Sequence, residues 1–234
     1  MMAPVLAALP WKAAVPLDVV ERAVTTVSAG AVPARLPMQV SQAAHALAAD
    51  VLAQPWDFLN ARYVRLGISG RPGQQAKNEL VALGWVKEHM IPRRGRPPIL
   101  LEPLPALANA TRKSLPSWGK GGFLHAFVAQ TVMEKFRLAH YTGIQKEKFY
   151  GSKSIDIVAT DSAGNLVGVE VSISLTNLID NFEKDFLVQP QLYTVIAVCF
   201  DSKSVRQAQR AITFAPGLKP FLSRIQVEPI AKWL

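Results

Sequence analysis

Between residues 153 and 172 the chain takes on a period of two. Residues 155–160 and 166–172 are β-branched runs with alternating apolar positions, and Asp161-Ser162-Ala163-Gly164-Asn165 separates them with turn residues. The pattern predicts a hairpin closed by a five-residue turn. With Thr160 facing Leu166, the register carries back to place Asp156 opposite Glu170, at a Cβ separation of roughly 4.5–5.5 Å where like charges repel. A cation is therefore expected between them. Val169 and Val171 fall on the other face, and the apolar run 195–200 offers a buried partner strand, so the carboxylates are expected on a sheet packed into a core.

A helical period frames this hairpin. Phe123, Phe127, Val128, Val132 and Phe136 trace one stripe through 123–139 and leave His125, Gln130 and Glu134 toward the polar side. After the hairpin, a short helix at 178–186, a strand at 191–200, a helix at 202–212 and a strand at 224–230 follow in turn. Strands and helices alternating at this spacing predict an α/β sandwich with a mixed sheet over residues 121–234.

The first half reads differently. Helices are expected at 18–27 and at 41–52, the second with Ser41 as its N-cap. They are followed by a segment 56–66, the turn Gly67-Ile68-Ser69-Gly70 and a helix 72–83 with Ala76, Leu80 and Leu83 on one face. Gly84 ends that helix. Two strands, 85–88 and 99–102, flank Pro92-Arg93-Arg94-Gly95-Arg96-Pro97. A helix, a turn, a second helix and a basic hairpin make residues 41–104 a winged helix-turn-helix. Residues 1–40 are an irregular apolar segment broken by prolines, suited to packing against another protein. Residues 105–120 read as a linker, within a stretch that holds Pro103, Pro105, Pro116, Gly119, Gly121 and Gly122.

Charge adds a partner to this picture. The chain has 234 residues with 26 Lys and Arg against 17 Asp and Glu, a formal charge of +9, which favours a polyanion. In a winged helix the second helix enters the major groove while the wing holds phosphates. That assigns Arg71, Gln74, Gln75, Lys77 and Asn78 to one DNA contact and Arg93, Arg94 and Arg96 to the other. The single Cys199 excludes a disulfide framework and a Cys-rich zinc site. No run of about 18 apolar residues suggests a membrane span, and the start lacks the basic region of a secretory signal, so a cytoplasmic location is expected.

Two convergent carboxylates are hard oxygen ligands suited to Mg²⁺ or Mn²⁺. From about Gly121 to Phe200 the arrangement resembles the PD-(D/E)XK nuclease superfamily, with Asp156 at the motif aspartate and Glu170-Val171-Ser172 at the E-x-K signature. Ser172 stands where the lysine is expected. In some branches that lysine migrates to the next helix, which makes Lys184 its substitute, with Lys153 next in line. Leu124 stands where the preceding helix often supplies an acid, so that ligand is either missing or replaced by His125 or Glu134.

The resemblance implies that Asp156, Glu170 and the Val171 carbonyl hold the metal and that Asp156, Glu170 and Lys184 perform hydrolysis of DNA. The order of the two halves, with Lys77-Asn78-Glu79-Leu80 and the R-G-R wing, is similar to the C-terminal module of HerA-type and conjugative-transfer-type DNA-pumping ATPases. No Walker motif is present, so a motor would be a separate chain, docked through residues 1–40. A homodimer is a further expectation. The alternative is a DNA-binding adaptor whose nuclease site has decayed, and a regulator built on the winged helix is a third class.

Overall fold

Helix α1 (Gln42–Ala53) begins where the pattern places it because the Ser41 hydroxyl accepts the Ala44 N–H at 3.2 Å. The structure, a computed structural model, describes residues 40–234. The segment 1–39, with the helix expected at 18–27, lies outside the described residues. Helix α2 (Leu59–Leu66) starts later than 56–66, since Pro55 and Trp56 form a turn and Phe58 bridges to Leu100. Helix α3 (Arg71–Ala82) buries Ala76 and Leu80. Beyond it Gly84 takes φ 64, Gly84 N–H bonds Val81 O and Trp85 N–H bonds Leu80 O. This double closure needs the left-handed backbone that glycine adopts without strain.

Strands β1 (Val86–Met90) and β2 (Ile99–Pro103) pair antiparallel around the arginine loop. The three helices and this hairpin close over Leu47, Val51, Leu59, Leu80, Val86 and Leu101. Part of the stretch read as linker belongs to the same core: Pro105–Thr111 is helix α4 and its Leu107 is fully buried. Arg62 is also fully buried, with its guanidinium donating to Asp50 Oδ1 at 2.6 Å and to the Asp57 carbonyl at 3.1 Å. Arg65 donates to the same Asp50 carboxylate. These arginines hold the Asp50 carboxyl below its usual range against the opposing effect of burial.

The second half is mixed α/β, as expected. Helix α5 (Gly122–Leu138) buries Phe123, Phe127, Val128, Val132 and Phe136, the predicted stripe. Five strands follow in the order β3 (Thr142–Tyr150), β4 (Lys153–Thr160), β5 (Leu166–Ser172), β6 (Thr194–Cys199) and β7 (Ile225–Pro229). The first two pairings are antiparallel and the last two parallel. β6 and β7 lie within the strands expected at 191–200 and 224–230. β3 was not legible, because it is an edge strand whose Lys146 and Lys148 interrupt apolar alternation, as edges that must not pair with other chains do. Helix α5 covers one face of the sheet against Ile157, Val169, Val171 and Val198. Helices α6 (Leu178–Val188) and α7 (Ser202–Phe214) cover the other against Val158, Val195, Ala197 and Cys199.

The β4–β5 hairpin has the predicted register, with Thr160 paired to Leu166 and Ile157 to Val169. Its turn is tied by Asp161, whose Oδ1 accepts the N–H groups of Ala163 and Asn165. The two halves of the described chain share a core. Ile91 and Leu100 of the first hairpin join the α5 cluster, and Trp56 stacks on Phe123 at 5.4 Å between ring centroids.

Candidate active site

Regular pairing of β4 with β5 ends at Ile157 and Val169, one residue short of Asp156 and Glu170. There the Val171 N–H donates to Asp156 Oδ2 at 2.8 Å. Alternation along β4 slips at the same place. Ile155 and Val158, three apart, both pack on the α6 side, whereas Ile157 packs on the α5 side. Across the ladder, Glu147 of β3 falls between the regular pairs at 146 and 148 and takes φ 48, a left-handed conformation unusual for a residue with a Cβ. Such distortions re-aim side chains at sheet ends. Here the result is a cleft of about 680 Å³ whose lining includes Asp156, Glu170, Val171, Ser172 and Lys184.

Glu170 lies on a strand covered from both sides and is 2 % exposed. Three residues of α6 surround it. Asn181 Nδ2 donates to Glu170 Oε2 at 3.0 Å, and Lys184 Nζ lies 3.4 Å from Glu170 Oε1 while donating to the Ser154 carbonyl at 2.7 Å. Asp185 is fully buried with neither carboxylate oxygen hydrogen-bonded. Its counter-charge is the Lys184 ammonium at 3.2 Å. Burial, then the charges of Asp156 and Asp185, push the Glu170 carboxyl up to about 9. Burial likewise raises Asp185. For Lys184 burial acts downward, but Glu170 and Asp185 outweigh it and hold the ammonium above its ordinary value.

Helix α5 contributes His125, whose Nε2 lies 3.0 Å from Asp156 Oδ2. Of the two replacements for the acid missing at Leu124, His125 is therefore the one in the cleft. Glu134 is exposed and pairs with Arg137. Among the described residues, no group of three or more His, Cys, Asp and Glu side chains gathers at metal-binding spacing. The Val171 contact shown is its amide on Asp156. Lys153, the second lysine candidate, is exposed.

The residues assigned to DNA lie outside this cleft. Arg71, Gln74, Gln75 and Asn78 are exposed on α3, and Arg93, Arg94 and Arg96 are exposed on the β1–β2 loop. Lys77 differs from its expected setting, since it is buried and its ammonium pairs with Glu88 of β1. Asn181 and Asp185 were missed, although with Lys184 they sit at i, i+3 and i+4 of one helix, the spacing that puts side chains on a shared face.

Comparison of the chain with protein-family models, with characterised proteins and with solved structures finds no match to any of them.

Proposed function

We propose that the protein is a divalent-metal-dependent DNA endonuclease whose site is Asp156, Glu170 and Lys184. The observation that carries this reading is the Lys184 ammonium beside Glu170 in a cleft where Ser172 supplies no charge. Two carboxylates and a carbonyl suit Mg²⁺, which keeps several waters and takes one or two protein carboxylates. The donor set fits for a second reason. Glu170 is buried near two other acids, and an ionised carboxylate there needs more positive charge than Lys184 alone supplies.

Asp156, Glu170 and the Val171 carbonyl would hold the ion, which when bound polarises a phosphodiester and acidifies a water. His125 orients Asp156, and the Val171 amide fixes the same carboxylate from the strand side. Asn181 holds Glu170 from the helix. Lys184 would stabilise the charge that develops on the phosphoryl oxygens. The exposed arginines at 93, 94 and 96, beyond three helices and an antiparallel hairpin, support a winged helix that grips duplex phosphates.

Asp156→Asn is expected to abolish Mg²⁺- or Mn²⁺-dependent cleavage of plasmid and oligonucleotide DNA while leaving binding intact. An Asn variant that cuts at the wild-type rate would place the chemistry elsewhere. A second reading, an adaptor with a decayed site serving a separate ATPase, is favoured by Ser172 and by the absence of a third close ligand among the described residues. It predicts wild-type protein that binds DNA and cuts none in either metal.

A further inference from the structure

Phe149 is an aromatic side chain outside the buried clusters, 68 % exposed on edge strand β3 and part of the lining of the cleft. Other apolar side chains are as exposed, Phe214 and Leu187 among them, but among the described residues Phe149 is the one of these that lines the cleft with Asp156, Glu170 and Lys184. Polar residues line the cleft beside it, with Lys120, Glu147 and Lys184 among them. Another part of the wall is bare backbone at Gly119 and Gly121. A Cβ at Gly121 would fall 2.3 Å from the His125 ring, and one at Gly119 would meet Glu147 Oε1 at 3.2 Å.

The reacting groups sit deep. Glu170 is almost wholly enclosed, and the side chains of Lys184 and Asp156 are 17 % and 22 % exposed. A phosphodiester must therefore enter the cleft to reach them. The cleft of about 680 Å³ lies within the range of about 300–1,000 Å³ that enclosed ligand sites span. A single strand can thread such a cleft with its bases turned aside. Lysines that neutralise phosphates beside an aromatic face that stacks a base are the combination by which proteins hold unpaired strands.

We propose that Phe149 is a stacking platform for an unpaired nucleobase, so that the substrate class is single-stranded DNA or the single-stranded arm of a forked duplex. The proposal rests on the nuclease reading and refines its substrate. Lys120 contacts the phosphate of the strand that enters.

The test is binding measured in EDTA, where no cleavage occurs, by fluorescence anisotropy with a dT 15-mer, a forked duplex and a blunt hairpin duplex. Phe149→Ala and Phe149→Leu are each expected to weaken binding of the dT 15-mer about 5- to 150-fold, the range that loss of one base–aromatic stack produces. Phe149→Trp should keep the affinity and show an added indole emission quenched by the oligonucleotide. Blunt-duplex affinity should be unchanged in all three. Lys120→Ala should flatten the slope of log K against log salt for the dT 15-mer by about 0.7.

Wild-type affinity for the dT 15-mer in Phe149→Ala and Phe149→Leu overturns the proposal. So does an equal loss on blunt duplex, or a dimer in sedimentation that Phe149→Ala dissociates, which would make the ring a contact between two copies. Failure of the nuclease reading is separate, since it shows as cleavage that survives Asp156→Asn or as no cleavage at all, and neither outcome alters binding in EDTA.

Discussion

Replacing Glu170 by Gln should make the metal-free protein more stable, and the size of the gain follows from the site. In the fold the Glu170 carboxyl is raised from 4.5 to about 9 by burial and by the charges of Asp156 and Asp185. A group whose pKa is raised on folding leaves stability untouched below its unfolded value and removes it as pH rises toward the folded value. Each pH unit in that window costs about 1.4 kcal/mol. Glu170 therefore costs the fold about 3 kcal/mol at pH 7 and under about 1 kcal/mol at pH 5. Glutamine keeps the shape and the contact with Asn181, and it has no charge to desolvate.

Urea unfolding followed by tryptophan fluorescence, in EDTA at pH 5, 7 and 8.5, reads this directly. The expected result is a Glu170→Gln advantage that grows with pH and reaches about 3 kcal/mol in unfolding free energy at pH 7. Mn²⁺ should then stabilise the wild type by RT ln(1 + [M]/Kd), about 1.4 kcal/mol at ten times Kd, and should leave Glu170→Gln unmoved. An advantage independent of pH, or equal stabilisation of both proteins by Mn²⁺, would refute the claim that these buried acids are assembled for a cation.

Further outcomes follow from other contacts. Lys184→Met should lower cleavage at saturating metal about 10²- to 10³-fold, the loss typical of removing one preorganised charge partner in a transition state, and Ser172→Lys in that background should restore part of it. Unimpaired cleavage by Lys184→Met would leave Lys153 to be tested. Arg93→Ala with Arg94→Ala should reduce the salt slope on duplex DNA by roughly two units, about 0.9 for each phosphate contact, with equal loss on all sequences. Asp50→Ala leaves the Arg62 guanidinium buried without its carboxylate, which should cost about 3–5 kcal/mol in urea unfolding. Because the Asp50 carboxyl is held below its usual range, its contribution should persist at neutral pH and disappear only as pH falls beneath about 4.

The elements legible in the chain are those whose cause is local. Ser41 caps α1, Gly84 ends α3 through a left-handed turn, and the Asp161–Asn165 turn sets the register of β4 on β5. Neighbours a few residues apart decide each of these, so periodicity and turn chemistry suffice to read them. Lys184 was named through the resemblance, as the substitute for the lysine missing at Ser172, and its place 3.4 Å from Glu170, 14 residues away, comes from the packing of α6 on β5.

What only the tertiary structure decided is which polar groups lose water. Glu170 and Asp185 are ordinary polar letters in the sequence. They become an enclosed acid pair because α6 closes over the face of β5. Arg62 is buried through the path of the α1–α2 connection, and Lys77 through Glu88 on a strand eleven residues away. Edge strand β3, with Glu147 and Phe149 in the cleft lining, had no apolar alternation to reveal it because one side of it meets solvent. Desolvation depends on every element that packs over a group, and that sum is not contained in the spacing of residues along the chain.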